Sequence, residues 1–143
     1  NDHQTFFDRR KSSIYKNKPG FSIFGVGDYS FAPWKVAISG FYKKLGFVVV
    51  GPHKDKPVIL DDTCYFIPCK SKNEADLLAD LLNSPVSKEF FGSFIFWDAK
   101  RPITANILGN LDIFLLAKEL GVEKELQKYR QNGQAKQLSL LLV

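Results

Sequence analysis

The sequence predicts an α+β fold, and two observations carry that expectation. Between Trp34 and Pro68 the apolar residues come in short alternating or β-branched runs, the period-two pattern of strands. From Asn73 onward the apolar residues recur every three or four positions, the spacing of one helical face. The order is therefore a first helix, several strands, then helices. This reads as an N-terminal helix, a small mixed or antiparallel sheet and a cluster of C-terminal helices. At 143 residues the chain is long enough for one domain with a real core and short for two.

The elements follow in order. Gln4 to Tyr15 is expected to be helical on Phe6, Phe7 and Ile14, and Lys18-Pro19-Gly20 ends it. Phe21 to Phe24 is a short strand candidate. Trp34 to Ser39 places Trp34, Val36 and Ile38 on one side of a half-buried strand. Lys43 and Lys44 lie in a polar turn before a buried strand, Phe47 to Val50. Gly51 to Pro57 reads as a hairpin loop. A return strand starts at Val58 to Leu60, is interrupted by Asp61-Asp62 and resumes from Thr63 to Pro68. Asn73 to Leu82 is a helix with Ala75, Leu78, Ala79 and Leu82 on one face, and with Glu74 and Asp76 near its positive end. Ser84 caps a second helix, which starts at Pro85 and runs towards Ile95. Thr104 to Gly109 is a short helical turn, and a further run extends from Leu111 or Asp112 to Leu120. Gly121 closes that run, and Val122 to Arg130 is a last amphipathic helix. Residues 1–130 are expected to form the domain. Residues 131–143, polar and then apolar from Leu138, form a tail that docks on it or faces a partner.

Charge is distributed unevenly. Residues 1–72 hold twelve Lys and Arg against six Asp and Glu, whereas residues 73–143 hold eight against nine. The whole positive excess thus lies in the first half, which favours a polyanionic partner on one face. Cys64 and Cys69 are too few for a disulfide framework. In a strand, a separation of five points them to opposite faces, so two thiols in a reducing compartment are expected. His3 and His53 have no ligand cluster at zinc spacing around them. No apolar run approaches the roughly 18 residues of a spanning helix, and no signal peptide is evident. A cytoplasmic location is the expectation. The opening NDHQTFFDRR has no initiator Met, and a piece of a longer chain is expected.

Gly25 to Ala37, GVGDYSFAPWKVA, is the most distinctive stretch. Its glycines and Pro33 suggest a stiff, kinked loop carrying Tyr29, Trp34 and Lys35. The loop either lines the core or presents rings and a cation for recognition.

Several segments in succession carry a resemblance. RRKSSIY (Arg9–Tyr15), GVGDYSFAPWKVAISG (Gly25–Gly40), LDDTCYFIP (Leu60–Pro68), ADLLNSP (Ala79–Pro85) and FWDAKRPIT (Phe96–Thr104) occur in this order. Together they resemble the C-terminal target-recognition domain of N-6 adenine DNA methyltransferases of restriction–modification systems. YFI and EADLLADLLNS also resemble recognition domains of type I specificity subunits. The resemblance covers roughly Phe6 to Phe114. It implies a domain that grips double-stranded DNA beside a catalytic domain, of the same or a partner chain, that binds S-adenosylmethionine. The family's catalytic Asn-Pro-Pro-aromatic motif is absent, since Phe31-Ala32-Pro33-Trp34 has one proline and no amide or acid in first place. Phe24-Gly25-Val26-Gly27 echoes a cofactor loop but lacks the following helix and the acid about 20 residues on. Neither catalysis nor a cofactor is expected of this chain alone.

On that reading Arg9, Arg10, Lys11, Lys16, Lys18, Lys43, Lys44, Lys54 and Lys56 are the candidates for phosphate contacts, some of them only. Tyr29, Trp34 and Lys35 are the candidates to approach base edges or to brace the loop that does. Two other readings remain open. Asp61 or Asp62 with Asp98-Ala99-Lys100 resembles the acid, acid-x-lysine pattern of metal-dependent nucleases. A protein-interaction module would account for the apolar tail.

Overall fold

The computed structural model describes residues 26–130. The helix expected at Gln4–Tyr15, the strand at Phe21–Phe24 and the tail lie outside the described residues. Within them the fold is α+β: a three-stranded antiparallel sheet followed by helices. A 3-10 turn, Asp28–Phe31, leads into β1 (Trp34–Ser39). β2 (Val48–Val50) and β3 (Cys64–Cys69) follow, then α1 (Lys72–Asn83), α2 (Pro85–Gly92), α3 (Ala105–Gly109), α4 (Ile113–Glu119) and α5 (Glu123–Tyr129).

β1 is the central strand, in the order β2-β1-β3. Lys35 sits opposite Val50 and Pro68, and Ala37 opposite Val48 and Phe66. The register gives each face its members. Val36, Ile38, Val49, Tyr65, Ile67 and Cys69 share the face that joins the core with Leu78, Leu82, Phe91, Ile103 and Leu126. Lys35, Ala37, Val48 and Phe66 share the other. α1 crosses the sheet and also touches α2, α4 and α5, so it is the hub of the helical layer.

The helix starts follow from capping chemistry. Ser71, Ser84, Thr104 and Asp112 each stand just before a helix, and each side chain accepts from a first-turn amide. Gly121, at φ +73°, closes α4 in the left-handed region, where glycine carries no Cβ penalty. The second helix stops at Gly92 rather than continuing towards Ile95.

The strand expected at Val58–Leu60 does not form. His53 and Lys56 exchange backbone bonds of 2.9 and 3.0 Å around Lys54 and Asp55, both at positive φ, so the chain reverses tightly. Pro57 then offers no N–H to a ladder. The chain crosses instead to the far side of β1 and enters β3 after the Asp61 turn. Phe47 also lies outside β2, yet its backbone is paired. Its N–H donates to Asn83 Oδ1 (2.9 Å) and its carbonyl accepts from Asn83 Nδ2 (2.8 Å). The Asn83 amide thereby acts as a one-residue strand partner and ties the end of α1 to the start of β2.

Candidate functional site

The sheet has two ends, and the candidate residues divide between them. β1 begins at the end that also holds the 3-10 turn and the 51–57 loop. It finishes about 17 Å away, at roughly 3.3 Å per residue. There the connection carrying Lys43 and Lys44 departs for β2. Lys54 and Lys56 are therefore at one end and Lys43 and Lys44 at the other, all exposed.

At the first end the expected recognition residues are largely packed away. Tyr29 is half-buried, with its ring 5.8 Å from that of Phe66. A Cβ on Gly27 would stand 2.7 Å from the Tyr29 ring, and one on Gly51 would stand 2.5 Å from the Trp34 ring. Both glycines thus serve the close approach of an aromatic ring. Gly27 is in ordinary extended conformation, not the special turn expected of it. Trp34 is half-buried and packs against the core, which suits a brace rather than a reading residue. Phe31 is the exposed ring of this turn, at 56%. Its exposure was not legible, because neighbouring aromatics in a short turn share no period.

Lys35 departs most from expectation. It is 1% exposed, on the sheet face shared with Phe66. Its Nζ donates to the carbonyl of Ala32 at 2.6 Å, and it lies 5.7 Å from the Phe66 ring centroid. Burial lowers its pKa from the ordinary lysine value. A lysine held in this way fastens the C-terminal side of the 3-10 turn to β1, and its ammonium is not displayed to a partner. Arg9, Arg10, Lys11, Lys16 and Lys18 lie outside the described residues.

At the second end two loops meet. Gly40 N–H donates to Thr63 O (2.9 Å), and Gly40 O accepts from Ile103 N–H (3.4 Å). Lys43 Nζ donates to the carbonyls of Trp97 (2.9 Å) and Ala99 (2.5 Å). The Arg101 guanidinium lies 4.7 Å from the Phe41 ring centroid. Asp61 and the 98–100 stretch are consequently brought to the same end, as the nuclease pattern requires. However, Asp61 Oδ1 already accepts from Thr63 N–H (3.0 Å) and from the Thr63 hydroxyl (2.5 Å), which hold its carboxyl below the usual carboxylate value. Among the described residues no three His, Cys, Asp or Glu side chains gather where they could hold a metal ion. Asp62 and Asp98 are exposed.

Cys64 and Cys69 are free thiols at the two ends of β3. Cys69 is buried, and burial first, with the nearby Glu74 carboxylate second, pushes its thiol up to about 12. No helix among the described residues is long and apolar enough to cross a membrane.

No protein-family model matches the chain, and no solved structure does. The chain is similar to "Type II methyltransferase M.NspV" of Nostoc sp. (strain ATCC 29411 / PCC 7524), with 53% identity over 116 residues. That match takes in 81% of this chain and 24% of the relative, so the chain spans about a quarter of the relative's length. The similarity is therefore to one part of a type II methyltransferase.

Proposed function

We propose that this domain is the target-recognition part of an adenine DNA methyltransferase of a restriction–modification system. It binds double-stranded DNA with sequence preference. S-adenosylmethionine binding and methyl transfer belong to a catalytic domain outside this sequence, and the assembly works in the cytoplasm. The observation that carries the reading is the match itself. Most of this chain aligns with a minor part of a type II methyltransferase, at an identity of 53%. The chain also lacks the Asn-Pro-Pro-aromatic motif. The positive excess of residues 1–72 supports a polyanionic partner.

Selection from randomised duplexes by the 143-residue chain tests the proposal. A recurring site should emerge, and affinity should fall steeply with salt, by about 0.9 in log–log slope for each phosphate contacted. No enrichment over the starting pool, or saturable S-adenosylmethionine binding by calorimetry, would overturn it.

A further inference from the structure

The second end of the sheet presents rings that the core does not use. Phe41 is 43% exposed, Tyr42 49% and Phe96 71%. Lys44 and Lys100 are exposed on the same loops, and Arg101 lies against Phe41. These rings do not sit on slack loops. Lys43 bridges two carbonyls of the 96–99 turn, while Gly40 is bonded on both sides, to Thr63 and Ile103. Contacts 54 and 56 residues apart in sequence thus tie together the loops that carry the rings.

Resting on the function proposed above, we infer that this edge, formed by residues 40–44 and 96–101, is the surface that meets duplex DNA. Its rings lie against sugars and an opened base step, and Lys44, Lys100 and Arg101 lie against phosphates. Three considerations favour DNA over a protein partner. Rings interleaved with cations suit a polyanion with stackable faces. Apolar side chains that enter a duplex act as wedges between base steps, and the two loops that carry these rings are bonded to each other. Lysine is depleted in the centres of protein interfaces, whereas here Lys44 and Lys100 are exposed on the same two loops as the rings. Asp61, Asp62 and Asp98, exposed at the same end, temper the positive charge, Asp61 by its interaction with Arg101. The contact therefore depends on the rings as much as on the cations. At the other end Tyr29 and Trp34 are half-buried and Lys35 is covered, which leaves Phe31 as the exposed ring of the turn.

The test uses the 143-residue chain, a pool of random-sequence duplexes and anisotropy titrations across a range of salt. The double variant Phe41→Ala/Tyr42→Ala should weaken binding at least about fivefold, the lower bound of stacking losses. Phe96→Ala should weaken it in the same direction. Lys44→Ala and Lys100→Ala should each lower the salt slope by about 0.9. Phe31→Ala should change neither affinity nor slope. Phe96, Lys44 and Lys100 carry the test even if the double variant unfolds, which its melting curve would reveal. Wild-type binding with unchanged affinity and slope in the folded edge variants would overturn the inference and leave the function standing. So would a loss confined to Phe31→Ala. A wild-type chain that binds no duplex would overturn both.

Discussion

Arg130 follows α5, and its replacement should cost more than a surface arginine can. Its Nη2 pairs with Glu74 Oε1 at 3.0 Å and donates to the carbonyl of Pro68 at 3.1 Å. The two side chains are 15% and 6% exposed. Glu74 Oε2 meanwhile accepts from Lys70 N–H at 2.8 Å. The arginine thus holds the end of α5 against the end of β3 and the start of α1. Arg130→Met keeps much of the apolar stem but leaves a buried carboxylate without its counter-charge. Breaking such a pair costs about 3–5 kcal/mol, and the slight exposure of Arg130 points to about 3. For a domain of this size that lowers Tm by roughly 10 °C. Adding Glu74→Gln should recover much of the loss. A neutral amide needs no counter-charge, and its oxygen can still accept from Lys70. Urea unfolding of the single and double variants measures both values. A loss under about 1 kcal/mol for Arg130→Met would place the pair with solvent-exposed ones. A double variant less stable than the single would refute the argument that the unpaired charge sets the cost.

Two further predictions follow from the packing. Asn83→Ala should destabilise by about 2 kcal/mol in the same unfolding assay, because it leaves both the N–H and the carbonyl of Phe47 unpaired. Asn83→Asp should fall between that variant and wild type, since a carboxylate still accepts from the Phe47 N–H but cannot donate to its carbonyl. Under native conditions at neutral pH, iodoacetamide should label Cys64 well before Cys69, with the difference lost in denaturant, as read by mass spectrometry. Cys69 is both covered and held as a thiol at about 12.

Much of the helical half was legible because its signals are local. Ser84 caps the helix it was expected to start, and Ser71, Thr104 and Asp112 do the same beside the segments they precede. Trp34 to Ser39 was legible for the same reason, as alternation within six residues. What failed depended on contacts between distant segments. Alternation puts Lys35 on the opposite side of β1 from Val36, which in a half-buried strand is the solvent side. Tyr29 packing on Phe66 and the bond to the Ala32 carbonyl make it part of the interior instead. Val58–Leu60 has strand composition, but a tight reversal and Pro57 deny it a ladder. The site shows the same limit most clearly. Lys43, Lys44, Lys54 and Lys56 lie within fourteen residues of sequence and resemble one basic stretch. The antiparallel pairing of β1 with β2 places the first two at one end of the sheet and the last two at the other. Phe41 and Phe96 share an edge because Lys43 reaches Trp97 and Ala99, Gly40 is bonded to Ile103 and Arg101 lies against Phe41. Cations counted along this chain are therefore candidates for two surfaces, and strand register, together with one lysine bridging two loops, decides which of them stand beside exposed rings.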